Sequence, residues 1–128
     1  VRWLNDQQLI NQFIYDVRIF CGPIEIKGSG FVDTGNHLID EKTALPIMMV
    51  PKEMFCKESM EDFLMKHRIS SWSTSYSVIN DDQQHLLVFK PTLLLINDQV
   101  VRNVLIGVVE NQFYEYDFLL QPSMVRSI

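Results

Sequence analysis

The sequence predicts a mostly β domain with one or two short helices. Three observations carry that expectation. Apolar and other residues alternate with period two over residues 13–32, the spacing of a half-buried strand. Apolar runs of strand length follow at 46–50, 86–89, 93–96 and 100–109, separated by turn residues. Only one segment, near residues 51–67, carries apolar side chains at helical spacing.

Taken in order, residues 1–12 read as a linker or N-terminal arm. Asn5 or Asp6 can equally cap a short helix containing Leu9 and Ile10. Phe13, Tyr15, Val17, Ile19 and Cys21 then share one strand face, and Gly22-Pro23 marks a turn. Ile24, Ile26 and Val32 alternate with Glu25, Lys27 and Ser29 on the return strand. Gly28 and Gly30 inside it imply a bulge or a close backbone approach. That strand ends in Asp33-Thr34-Gly35-Asn36.

His37 to Ile39 is short and extended, and residues 40–43 form a polar turn before the apolar run Pro46–Val50. Pro51 can open a helix, because the N–H it lacks is not needed there. Cys56, Met60, Phe63, Leu64 and His67 fall on one helical face, and Ser59 with Asp62 can restart a helix. Residues 70–77 are Ser-rich but carry Trp72 and Tyr76, and Asn80-Asp81-Asp82 is a turn. Leu86–Phe89 reads as a strand interrupted by Lys90-Pro91. Leu93–Ile96 and residues 100–109 read as a hairpin turning at Asn97-Asp98, with Leu93–Ile96 and Val104-Leu105-Ile106 buried on both faces. Residues 111–121 fit a helix or a strand, and Pro122 ends them. The total is about seven strands.

At 128 residues the chain makes one domain, large enough for a real core. Its net charge of −5 argues against nucleic acid as a partner. Cys21 and Cys56 fit no metal or redox spacing and read as buried, reduced thiols. His37, His67 and His85 lack ligand spacing too, so no metal and no cofactor is predicted. No apolar run reaches the ~18 residues of a membrane span. The first residue is Val1, not Met, which implies processing or a piece of a longer protein.

The turn at residues 33–36 holds the most chemistry. Asp33 stands at a strand end, Thr34 offers a hydroxyl, and Gly35 permits a sharp backbone turn. Aspartic peptidases carry their catalytic carboxylate in this way. An Asx-type turn between two strands produces the same triplet.

More than the triplet can be aligned. Val32-Asp33-Thr34-Gly35-Asn36, followed by Leu38, Asp40, Thr43, Pro46 and Val50, closely resembles the peptidase domain of the sporulation sigma-E factor processing peptidases. The likeness continues at Phe89-Lys90-Pro91, at Val104-Leu105-Ile106-Gly107, and at Tyr116, Leu119-Leu120 and Pro122. It departs at Glu41, where the family often has Pro, and is poor over 70–84.

The resemblance implies that residues 13–128 form a retropepsin-like acid protease half-barrel, contributing one Asp to a homodimer. It implies Asp33 as the catalytic residue, with Thr34, Gly35 and Asn36 supporting the turn. It also implies Leu105, Ile106 and Gly107 as the strand under the active site. The implied substrate is the precursor of sigma-E, which loses an N-terminal pro-segment. The implied partners are a second copy, an activating signal protein from the forespore, and the membrane through an N-terminal domain absent here. The full-length protein would then sit at the cytoplasmic face of the cell membrane, on the mother-cell side of the septum, while this fragment is soluble. A substrate-covering flap is expected within residues 69–89, with the turn at 40–45 as the alternative. A non-catalytic, protease-like module for dimerisation or peptide binding is the rival reading.

Overall fold

A computed structural model describes residues 13–55, 59–77, 83–113 and 115–128. The proposed arm at 1–12, Cys56 and the turn at 80–82 lie outside these residues. The fold is mostly β. The strands are β1 (Ile14–Cys21), β2 (Ile24–Val32), β3 (Ile47–Pro51), β4 (Ser71–Ser77), β5 (Gln83–Phe89), β6 (Leu93–Ile96), β7 (Gln99–Val100), β8 (Leu105–Val109) and β9 (Phe118–Leu120). One α-helix, α1 (Met60–Lys66), joins two short 3-10 turns at Lys52–Met54 and Pro122–Met124. No helix among the described residues is long and apolar enough to cross a membrane.

All nine strands form one sheet, in the order β4-β5-β8-β3-β9-β2-β1-β6-β7. The β1–β2 hairpin pairs without interruption from Ile14↔Phe31 to Cys21↔Ile24. Gly22 closes it at φ +60°, which suits the first position of a two-residue hairpin turn. Gly28 and Gly30 mark close approach and not a bulge. A Cβ on Gly28 would strike the Asp117 carboxylate, and one on Gly30 would strike Leu120 and Val17. The second half of the chain therefore packs directly onto the strand that delivers Asp33.

Two expected pairings are corrected. Leu93–Ile96 turns across Asn97 and Asp98, both in the left-handed region, onto Gln99–Val100, and its other edge pairs with β1. Leu105–Val109 leaves that hairpin and joins β3 in parallel and β5 in antiparallel fashion. The reason is burial. Leu105, Ile106 and Gly107 are all covered, and a central position in the sheet covers both faces. Leu93, by contrast, is exposed, so β6 has one wet face.

One buried cluster runs from Val17, Ile19 and Ile96 through Leu120 and Phe118 to Phe89, with Phe63 and Leu64 of α1 packed into it. Ser59 caps α1, its hydroxyl accepting from the Asp62 N–H at 3.2 Å, as the spacing predicts. His67 ends the helix and packs edge-on to Phe63. A second cluster, Ile47, Leu86, Val88 and Leu105, lies under Trp72 and Tyr76 of β4 and β5's partner face.

Candidate active site

Asp33 follows the last residue of β2, and its backbone is fixed on both sides. Its N–H donates to the Leu120 carbonyl at 3.1 Å, and its carbonyl accepts from the Asn36 N–H at 3.0 Å. Its carboxylate Oδ1 accepts from the Gly35 N–H at 2.9 Å. Oδ2 makes no hydrogen bond within the described residues, and the side chain is half-buried. An acceptor is thus held at a defined place with one oxygen available.

The strand beside this turn is β9. Phe118, Leu119 and Leu120 pair in parallel with Gly30, Phe31 and Val32, and Leu119 faces Met49 of β3. Leu105, Ile106 and Gly107 do not touch the turn, because β3 and β9 stand between β8 and β2. The apolar strand expected there is supplied by Leu119-Leu120, another stretch of the resemblance. Gln121 continues it. Its buried amide Nε2 donates to the Leu38 and Ile47 carbonyls, tying the chain on either side of the 40–45 turn to the end of β9. The sequence offers little sign of this role beyond the position of Gln121 just before Pro122.

Thr34 and Gly35 are exposed, and Thr34 makes no hydrogen bond with other described residues. Gly35 is not in the left-handed region, and beyond its chain neighbours the nearest atom to a Cβ placed there is Asp33 Oδ1 at 3.5 Å. The expectation that Gly35 serves a turn forbidden to other residues therefore needs correcting. Within one chain nothing requires glycine at this position. Asn36 is buried. Its Oδ1 accepts from the Leu38 N–H at 3.1 Å, and its Nδ2 has no partner.

On one side of Asp33 stands an aromatic wall. Residues 31 and 33 share the outer face of β2, since side chains alternate along a strand. Phe31 stacks on Tyr116 at 5.0 Å, Tyr116 on Phe113 at 5.3 Å, and Phe13 leans on Phe31 at 6.1 Å. Burial, and secondarily the negative charge of Asp33, raise the Tyr116 phenol above its ordinary range.

At Asn36, the last residue of the turn, begins a groove of about 510 Å³, lined by Asn36, Leu38, Ile39, Met49, Ser75 and Tyr76 among others but not by Asp33 itself. Ile39 is 50% exposed there. Ser75 and Tyr76 belong to the β4–β5 hairpin. β5 pairs with β8 only over Leu87–Phe89, so the stretch from Gln83 to Leu86 and its β4 partners extend past the sheet as a two-stranded ribbon. A larger hollow of about 680 Å³ lies near Met60 and the ends of β5 and β8 and includes none of residues 33–36. His37 is exposed at the groove, and His85 lines the larger hollow. No three His, Cys, Asp or Glu side chains gather as a metal site among the described residues.

Asp40 joins the groove wall to the ribbon. It is completely buried and makes no ion pair among the described residues. Oδ2 accepts from the Thr43 N–H at 2.9 Å and hydroxyl at 2.6 Å, and Oδ1 accepts from the Trp72 indole N–H at 3.2 Å. Burial pushes its pKa up, but hydrogen bonds from Thr43, Thr74 and Trp72 outweigh that and hold it at about 2. Sequence reading placed Asp40 in a polar turn and missed this network, whose partners lie about thirty residues away.

Comparison with known proteins agrees with the resemblance. The family described as sporulation factor SpoIIGA, a peptidase family, matches residues 1–124. A relative from Clostridium acetobutylicum, named "Probable sporulation sigma-E factor-processing peptidase", is 28% identical over 129 residues. That match covers 96% of this chain and 46% of the relative, so the chain spans about half the length of that protein. No solved structure matches. With nearly the whole chain matched and the Asp33 turn, β9 and the groove in one place, the chain belongs to the SpoIIGA family of sporulation factors.

Proposed function

We propose that this chain is one half of an aspartic endopeptidase, active as a homodimer, that removes the N-terminal pro-segment of the sigma-E precursor. Cleaving a peptide bond by this route needs a base to activate water and an acid to protonate the leaving nitrogen. Two carboxylates in contact supply both, because they cannot both ionise and so share one proton. Each copy would contribute Asp33, with Thr34 and Gly35 meeting their counterparts at the two-fold axis.

The observation that carries this reading is the outward-facing half of the turn. Asp33 Oδ2 and the Thr34 hydroxyl make no hydrogen bond among the described residues, and the side of Gly35 where a Cβ would stand is open. The groove beside Asn36 suits an extended peptide, and the β4–β5 ribbon is the natural flap over it. The name of the relative supports a sigma-E precursor as substrate. Within this reading the full-length protein acts at the cytoplasmic face of the mother-cell membrane, held by an N-terminal membrane domain. A signal protein from the forespore switches it on.

The test is cleavage of the sigma-E precursor by full-length protein carrying Asp33→Ala or Asp33→Asn. Both should lose at least about a thousandfold in rate, within the range for removing an acid–base group, while keeping their fold. Cleavage at the normal rate would end the reading. A crosslink between two copies through cysteines introduced at position 34 would report the pairing directly.

A further inference from the structure

We propose that Asp40, acting through Trp72, is a positioning residue that sets how the β4–β5 ribbon lies over the groove beside Asn36. The proposal rests on the peptidase reading of that groove. It begins from an imbalance. A carboxylate removed from water is costly unless its lone pairs are filled, and Asp40 has hydrogen-bond donors but no ion pair among the described residues. An apolar residue would close a turn on a buried floor with no such penalty. What the carboxylate adds is direction, because its two oxygens reach different segments. Oδ2 holds its own turn through Thr43, and Oδ1 holds Trp72 on β4.

Strand β4 needs such a hold. It is the outermost strand of the sheet and pairs with β5 alone. β5 in turn is anchored to β8 only at its far end, over Leu87–Phe89. Beyond strand pairing and the packing of Trp72 and Tyr76 on the second cluster, the polar contacts to β4 come from the turn after the Asp33 loop. The Glu41 N–H donates to the Thr74 hydroxyl at 3.3 Å, and the Ser75 hydroxyl donates to Glu41 Oε1 at 2.8 Å. Lys42 sits over the Trp72 ring at 5.3 Å. These contacts run along β4 from Trp72 to Ser75, and the groove-lining residues Ser75 and Tyr76 come next. The clasp therefore ends where the ribbon begins to overhang the groove, as a pivot must.

The chemistry predicts a division of labour. Glu41, Lys42 and Ser75 are exposed or nearly so, and their contacts compete with water. The Asp40–Trp72 bond is screened from water and directional, so it fixes the angle of the ribbon. Loosening it spreads the ribbon over more orientations, and a bound peptide must then restrict them. The cost falls on substrate binding, not on the acid–base step at Asp33.

Trp72→Phe removes the indole donor while keeping an aromatic ring on the second core. Hydrogen exchange at β4 amides should quicken about tenfold while β1 and β2 exchange as before, the signature of local opening. In full-length protein the KM for the sigma-E precursor should rise about fivefold, with kcat changed less than twofold. Asp40→Ala, which removes the acceptor, should do the same, and Trp72→Phe added to it should quicken β4 exchange no further, since the indole then has no bond to position 40 left to lose. The proposal is overturned if β4 exchange is unchanged, if β1 and β2 speed up equally, or if KM stays at its wild-type value. Failure of the peptidase reading looks different: cleavage then survives Asp33→Ala, whatever β4 exchange shows.

Discussion

The Gly35 N–H donates to Asp33 Oδ1 at 2.9 Å, and space is open where a Gly35 side chain would begin. A methyl group at position 35 therefore has room within one chain, and the backbone there suits alanine. Gly35→Ala should leave the fold as stable as before, or more stable by up to about 1 kcal/mol through the unfolded state. Under the proposed homodimer, the same variant should lose precursor cleavage and self-association, because the added methyl would face the second copy. Thermal melting set against sedimentation and a cleavage assay separates the two effects.

Gly30 gives the opposite expectation. Leu120 and Val17 fill the space a side chain would need, and both are buried. Gly30→Ala should destabilise by about 1–3 kcal/mol, the range for overpacking a filled core. It should also impair cleavage, since displaced Leu120 carries the carbonyl that holds the Asp33 N–H. Urea unfolding gives the first quantity, and activity well below the melting temperature gives the second.

Acid should loosen the Asp40 clasp in a defined window. The folded carboxyl ionises at about 2, below its ordinary 3.8, so its stabilising contribution is complete above pH 4 and fades as pH falls toward 2. The loss amounts to about 2 kcal/mol, taking one pKa unit as about 1.4 kcal/mol. Asp40→Asn should be less stable at neutral pH and should show a flatter stability curve from pH 4 to 2, measured by denaturant titration.

Cys21 should behave in the reverse sense. It is fully buried, and burial pushes its thiol from 9.0 up to about 12. Its contribution is complete below pH 9 and is lost as pH rises from there toward 12, because the unfolded thiol ionises first. In a Cys56→Ser variant, thiol labelling at pH 8 should be no faster than unfolding. Rapid labelling of the native protein would contradict the burial of Cys21.

How much of this was legible in the sequence depended on distance along the chain. The β1–β2 hairpin and the Ser59 cap are written in neighbouring residues, and both formed where the pattern placed them. Strand β4 was hidden although its sequence alternates: Trp72, Thr74 and Tyr76 turn inward between serines, and the polar Thr74 interrupts the apolar face. The partner of β8 was misplaced for a different reason. An apolar run states that it is buried, not which strand lies beside it. At the site, Asp33 was evident from its setting, while Asp40, Gln121 and Tyr116 gain their roles from partners over thirty residues away.

The threading of β9 between β2 and β3 has a temporal consequence. Chain synthesis runs from the N-terminus, so residues 14–33 leave the ribosome some ninety residues before Leu120 can dock beside them. Until then Asp33 lacks the carbonyl that fixes its backbone, and Gln121 cannot bridge Leu38 to Ile47. A half-made molecule thus carries Asp33 on a loose end, and the fixed geometry of its turn arrives only with the last strand.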